Sequence, residues 1–127
     1  MIFGYKANKC KVQIDGVQTE TKTYSSDTGN ATAYFKRVGN VVTVDLTLTA
    51  SANNNFAIIT GNIVAPDWAK YTGEGNIRAA NYVSNGDIEA KCNMARTGTG
   101  NCYVSANCVN STSSEASINI SMTYIVD

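Results

Sequence analysis

Residues 41–50, Val-Val-Thr-Val-Asp-Leu-Thr-Leu-Thr-Ala, carry the strongest structural signal in this chain. Apolar Val42, Val44, Leu46 and Leu48 alternate strictly with threonine and aspartate. A period of two is typical of a β-strand that buries one face and exposes the other. Residues 116–126 repeat the alternation, whereas the 3.6-residue spacing of an amphipathic helix does not recur. The sequence therefore predicts an all-β protein.

Turn residues separate the alternating segments. Gly39-Asn40 and Asn85-Gly86 tolerate the positive φ angles of tight hairpins, and two glycines fall within residues 97–101. Asp15-Gly16 suggests a further short hairpin, and Pro66, which cannot donate to a sheet ladder, marks the end of another strand. The predicted strands are 10–14, 17–24, 31–38, 42–49, 56–64, 76–83, 88–94, 102–109 and 116–126.

Closely spaced strands without intervening helices predict an antiparallel β-sandwich, jelly-roll-like, with about seven or eight strands. The 127 residues suit a single domain. Within it, residues 1–30 form a short N-terminal segment or an extra hairpin, and residues 31–127 form the sandwich. Three segments rich in small polar residues are interpreted as surface loops and as candidates for a binding face: 25–30, 51–55 and 110–114.

Charge gives no indication of a polyanionic partner. Lys plus Arg and Asp plus Glu are balanced at 10 each, so no net field attracts the chain to nucleic acid or anionic lipid. No apolar run has the length of a membrane span. We therefore expect neither nucleic-acid binding nor membrane insertion.

The four cysteines are Cys10, Cys92, Cys102 and Cys108, and the last three fall on the apolar phase of their strands. Free cysteine packs as a small apolar group, so buried thiols are the favoured interpretation. A disulfide is the alternative if facing strands bring the Cα atoms of two cysteines within about 7 Å. Without CxxC spacing or any histidine, no zinc site is predicted, and no cofactor is expected.

Catalysis is not expected. The absence of histidine removes the usual general base and the usual partner of a Ser or Cys nucleophile. A glycosidase needs two carboxylates across a cleft, and no spacing marks such a pair. Asp67 and Glu74 are the nearest approach to one, but acids of this kind are usually solvated loop residues.

A group of aromatic and polar residues in the middle of the chain suits a saccharide. An aromatic ring covers the apolar face of a pyranose, while amides, carboxylates and Arg bind its hydroxyls. The candidate ligand-binding residues are Asp67, Trp68, Tyr71, Arg78, Asn81 and Tyr82. For Trp68 a structural role, closing the end of the sandwich or a subunit interface, is the slightly favoured alternative.

The run Tyr-Phe-Lys-Arg-Val-Gly-Asn-Val-Val-Thr-Val at 34–44 resembles a hairpin of bacteriophage tail-fibre and baseplate receptor-binding head domains. The apolar-Pro turn at 63–68, the strand, Asn-Gly turn and strand at 82–94, and the closing strand at 118–126 are similar to the same family. The resemblance covers residues 31–127 and rests on turns and alternation. It implies a β-sandwich head, assembled as a homotrimer, that binds bacterial surface saccharides.

The expected function is therefore host recognition by a phage tail, through a bacterial surface polysaccharide, with no enzymatic activity. Other phage tail proteins would be partners, and the chain would be located in the virion and act outside the cell. The alternative is a structural virion or tail assembly protein whose strands mediate oligomer contacts. A polysaccharide depolymerase is a remote third possibility.

Overall fold

The fold was analysed in a computed structural model, which describes residues 16–59, 61–96 and 100–126. These contain eight β-strands and two short 3-10 turns, at Asp67–Ala69 and Ser84–Gly86. The strands are β1 (Val17–Ser26), β2 (Gly29–Val38), β3 (Val41–Ala50), β4 (Asn54–Ile58), β5 (Ile77–Val83), β6 (Ile88–Arg96), β7 (Cys102–Asn110) and β8 (Ala116–Ile125).

The strands form two antiparallel four-stranded sheets packed face to face. Sheet A has the order β1-β2-β3-β8 and sheet B the order β4-β7-β6-β5. The pairs β3 with β8, β4 with β7 and β5 with β6 are nested, so the chain crosses from sheet A to sheet B after β3 and returns after β7. The predicted all-β antiparallel sandwich is confirmed.

The core lies between the sheets and is made of the inward half of each alternating strand. Val42, Val44, Leu46 and Leu48 on β3 are at most 1% exposed. They pack with the inward side chains of β8 and with Phe56 of β4. Burying each such side chain stabilises the fold by about 1.5–3 kcal/mol, so the alternation specifies both the strands and their inward faces.

Two predicted segments differ from the structure. The strand expected at 56–64 ends at Ile58, because the next residues turn back: the Asn62 side chain accepts the Ile59 N–H at 2.9 Å and Gly61 has φ of 97°. The loop expected at 25–30 is reduced to a turn at Asp27 and Thr28, since Ser26 pairs with Gly29. A Cβ at Gly29 would meet the Thr49 carbonyl and the Phe56 ring.

Among the described strands, β1 lies at one edge of sheet A, so the sandwich includes the predicted strand at 17–24 and extends below residue 31. All ten of its residues pair with β2. The partner strand predicted at 10–14 lies outside the described residues. Glu20 and Lys22 occupy inward positions on β1 and form an ion pair at 3.4 Å. Inward-facing charges discourage another strand from adding to an exposed sheet edge.

Asn110 connects the two places where the chain changes sheets. It is 1% exposed, although the sequence places it at the start of a surface loop. Its Nδ2 lies 2.9–3.2 Å from the carbonyl oxygens of Ala50, Ser51 and Ser114. Its Oδ1 accepts the backbone N–H of Thr112 at 2.9 Å and the Thr112 hydroxyl at 2.7 Å. One side chain thus satisfies polar groups at both crossovers.

The thiols predicted to be inward are buried. Cys92, Cys102 and Cys108 are unpaired and at most 4% exposed, whereas Cys10 lies outside the described residues. Burial raises the pKa of the Cys92 thiol from 9.0 to about 11, against a smaller opposing effect of its hydrogen bond to the Ala79 backbone. Burial also raises the pKa of Cys102 and of Cys108. These thiols therefore stay protonated at neutral pH.

We expect these three thiols to be unreactive in the folded protein. In a Cys10→Ser background, the disulfide reagent DTNB should modify them at least about 100-fold more slowly under native conditions than in concentrated urea, because burial blocks access and a raised pKa depletes the nucleophilic thiolate. Absorbance of the released thiolate follows the reaction. Fast modification of any of the three before unfolding would contradict this burial.

The outer face of sheet A carries one continuous apolar strip, here called the apolar row. It consists of Val17, Val38, Val41 and Ile125, which are direct neighbours across all four strands. Their exposed fractions range from 37% to 58%. Most other outward positions of the sheet carry serine, threonine or asparagine. The apolar row is thus an exposed hydrophobic strip on a mainly polar surface.

Candidate functional site

A depression of about 600 Å³ lies on sheet B. Every residue lining it belongs to that sheet and none belongs to sheet A, so the depression opens on the outer face of sheet B. The lining residues are Ile58, Arg78, Ala79, Ala80, Lys91, Cys92, Asn93, Ser105, Ala106 and Asn107.

Strand register builds the depression from two rows of outward side chains. One row runs Ala80, Lys91, Asn107 across β5, β6 and β7, and the other runs Arg78, Asn93, Ser105. Ala80 and Ser105 are short, while the other four side chains are longer. Small residues beside long ones leave a hollow that the long side chains surround.

Two tyrosines flank this array. Tyr82 stands on β5 two residues beyond Ala80, is 53% exposed and lies opposite Glu89. Tyr103 stands on β7 two residues before Ser105 and is half-buried. Since outward side chains on a strand repeat about every 6.7 Å and strands lie about 4.8 Å apart, the array covers about 10 by 7 Å. This area accommodates one or two sugar units between aromatic side chains.

The chemistry of the lining suits a hydroxyl-rich ligand. Asn93 and Asn107 each offer amide donors and an acceptor, and Ser105 offers a hydroxyl that does both. Arg78 and Lys91 add donors that bear a positive charge. Ala80 and the methylene groups of the long side chains supply apolar surface. Such a combination of apolar floor and a few polar groups is characteristic of small-ligand sites.

The predicted residues Asp67, Trp68 and Tyr71 lie elsewhere, at one end of the sandwich. Asp67 is almost fully solvated and forms an ion pair with Lys70 at 3.1 Å. Trp68 packs against the core, and its carbonyl accepts a hydrogen bond from Arg37 Nη1 at 2.8 Å. The structural role weighed for Trp68 therefore agrees with its packing.

Tyr71 is fixed at the same end of the sandwich by contacts within the chain. Its ring meets that of Tyr124 edge-to-face at 5.6 Å, and its hydroxyl donates to the Glu74 carbonyl at 2.8 Å. Tyr124 in turn donates its hydroxyl to the Ala69 carbonyl at 2.6 Å. These bonds hold the segment after Pro66 against the core.

The other three predicted residues lie on β5 but serve different surfaces. Arg78 lines the depression, and Tyr82 stands next to it on β5, two residues beyond Ala80. Asn81 lies on the opposite face of β5 from Arg78 and Tyr82. Its Nδ2 donates to the Asn119 carbonyl on β8 at 2.7 Å. That bond joins the edges of the two sheets. The six predicted residues thus do not form one cluster.

Four polar lining residues were not identified from the sequence: Lys91, Asn93, Ser105 and Asn107. The sequence did indicate that they lie at outward positions of two strands predicted to be adjacent, β6 and β7. Polar residues at outward positions are ordinary on a solvated sheet, so the alternation alone does not distinguish a site from a surface.

Across residues 16–59, 61–96 and 100–126, no three His, Cys, Asp or Glu side chains come together in a group that could hold a metal ion. Over those residues there is also no helix long and apolar enough to cross a membrane.

The chain was compared with known proteins at three levels. Comparison with protein-family models, with curated proteins and with solved structures finds no match.

Proposed function

We propose that this chain is a saccharide-binding module without catalytic activity, and that its ligand is a bacterial surface polysaccharide. The observation that supports the proposal is the depression on the outer face of sheet B. It combines an apolar floor at Ala80 with amide, hydroxyl and cationic donors, and Tyr82 and Tyr103 stand at its margins. Its position on a rigid sheet favours a preorganised site, which lowers the entropic cost of binding.

The biological setting of the proposal is a phage tail. The resemblance of residues 34–44 and of the later turns to tail-fibre and baseplate head domains is its support. In that setting the module would be part of the virion, contact other tail proteins and recognise the host from outside the cell. A homotrimer would present three copies of the depression, which increases avidity for a repeating polymer.

Binding rather than hydrolysis is proposed because acids are not found where a sugar would lie. No lining side chain of the depression, all of them described, carries a carboxylate. Elsewhere, Asp45 accepts the Ser121 hydroxyl at 2.6 Å, and Glu20 and Asp67 pair with lysines. A depolymerase would need two carboxyl groups facing one another across the bound chain.

The test is direct binding of the purified protein to a panel of bacterial surface polysaccharides and to whole cells. Isothermal titration measures the affinity for each polymer, and sedimentation with cells measures surface binding. Saturable binding without release of reducing ends supports a non-catalytic module. A folded protein that binds no member of the panel would contradict the proposal.

The alternative, a structural tail protein, has one observation in its favour, the apolar row on sheet A. Contiguous exposed apolar surface often marks a protein contact. Its occupant would be a second copy of this chain, since the row spans the full width of the sheet and the family resemblance implies a homo-oligomer. In this case the rows of neighbouring subunits would bury one another.

We expect the double change Val38→Ser and Ile125→Ser to weaken self-association by roughly tenfold or more, because it removes apolar area that oligomerisation would bury. Sedimentation velocity over a concentration series measures the effect. Ile59→Ser, at an apolar residue that is 64% exposed but outside the row, is the matched control. A monomeric parent protein, or equal weakening by the control, would count against this contact.

A further inference from the structure

The depression contains two cationic side chains, Arg78 and Lys91, that form no ion pair with any acid in the described part of the chain. Among the described residues, the ion pairs are Lys22 with Glu20 and Lys70 with Asp67, and neither Arg78 nor Lys91 takes part in one. Neither forms a side-chain hydrogen bond with another described residue. In a chain with equal numbers of acidic and basic residues, this is a local excess of positive charge.

The pairing of β5 with β6 places the Arg78 and Lys91 side chains close enough to contact one ligand. Arg78 lies opposite Asn93, and Lys91 lies opposite Ala80, so Arg78 and Lys91 are diagonal neighbours on adjacent strands. Diagonal positions are about 7–8 Å apart, within reach of long side chains. Both side chains line the depression, and Ala80 beside them is short, so a ligand above Ala80 is within reach of each.

The neighbouring groups complete a donor-rich lining. Asn93 and Asn107 present amide N–H groups beside the two cations, and Ser105 presents a hydroxyl. Glu89, an acid at an outward position of the same sheet, lies opposite Tyr82 in the next row and does not line the depression. An arginine fork binds carboxylate or phosphate through paired hydrogen bonds, and lysine adds a point charge.

We infer that the depression recognises an anionic saccharide, in which Arg78 and Lys91 bind a carboxylate or phosphate group attached to the sugar. This inference rests on the proposed function and specifies its ligand class. Asn93, Ser105 and Asn107 then bind the neighbouring hydroxyls. The shared chemistry is one negative charge per binding unit of the polymer, and uronic-acid and phosphodiester polymers both supply it.

The experiment measures binding of three polymers by isothermal titration: polygalacturonate for the carboxylate, poly(glycerol phosphate) for the phosphate, and dextran as the neutral polymer. The protein is expected to bind one or both anionic polymers more tightly than dextran. Arg78→Gln and Lys91→Gln are each expected to weaken that binding roughly tenfold, since each removes a charge-assisted contact. Comparing the first two polymers identifies the anionic group.

The matched control is Lys36→Gln, which removes the same charge from an exposed position on the outer face of sheet A. It is expected to leave binding unchanged. Raising the NaCl concentration from about 0.05 M to about 0.5 M should weaken binding by the parent protein, and should weaken it much less for the Arg78→Gln, Lys91→Gln double variant.

Three results would overturn the inference. Dextran binding that equals polyanion binding and is unaffected by either Gln variant means that the site takes neutral sugars, and the proposed function stands. Equal losses in Lys36→Gln and Lys91→Gln indicate non-specific attraction. No binding to these polymers or to the wider polysaccharide panel removes the proposed function as well.

Discussion

Ala80→Trp is expected to abolish saccharide binding while the protein stays folded. Ala80 is an exposed residue on β5 and lies in the depression between Arg78 and Lys91, so an indole ring at this position fills the hollow. Trp also suits a β-strand, so the sheet should tolerate it. We expect the affinity for the best polysaccharide of the panel to fall by roughly 100-fold or more, as measured by isothermal titration.

The matched control for this change is Thr32→Trp. Thr32 is exposed on a strand of sheet A and points away from the core, on the opposite face of the sandwich. The same bulk there should leave both affinity and unfolding midpoint near those of the parent. If Ala80→Trp binds as tightly as Thr32→Trp, the ligand does not occupy the depression and the proposed site is wrong.

Asn110→Ala is expected to produce the largest loss of stability among single polar substitutions. It removes a buried side chain that hydrogen-bonds to polar groups at both crossovers, and leaves the carbonyls of Ala50, Ser51 and Ser114 without this donor. Each unsatisfied buried group costs about 1–3 kcal/mol. We expect the free energy of unfolding to fall by about 3 kcal/mol, measured by urea denaturation.

Asn107→Ala provides the comparison, because Asn107 lies on the same strand but is exposed on its outer face. Its effect on stability should stay within about 0.5 kcal/mol. Asn110→Asp, which keeps an acceptor oxygen for Thr112 but loses the amide donor, should also be strongly destabilising near neutral pH. Similar stability of Asn107→Ala and Asn110→Ala would show that the crossovers do not depend on this side chain.

The fold could be predicted because its determinants are local. Alternation on β3 and β8 specifies which side chains are inward, and Gly39 and Gly86 adopt the positive φ angles expected of the turns. The same alternation of apolar and polar residues predicted the inward positions of Cys92, Cys102 and Cys108. The error at 56–64 arose because an Asn62 side chain, rather than the proline, ends the strand, and side-chain capping does not change the alternation.

The candidate site was harder to predict because it depends on register between strands. The hollow exists because Ala80 lies opposite Lys91 and beside Arg78, and this relation appears only once β5 and β6 are paired. Trp68 and Tyr71 were candidates because an aromatic ring beside polar residues suits a sugar, yet the sequence does not show whether such a ring packs in the core or faces a ligand. Asn110 was assigned to a loop by composition, since polarity alone does not reveal a buried side chain whose bonding groups are satisfied.

The nested pairing of the strands has a consequence for how the protein folds. β1, β2 and β3 can pair in sequence order. The other edge of β3 stays unpaired until β8 forms, and all four strands of sheet B lie between β3 and β8 in the sequence. Contacts between segments so far apart in the chain make folding slow, on a scale of about milliseconds to seconds. During that interval the inward valines and leucines of β3 border an open edge, so the partly folded chain is exposed to aggregation until β8 docks.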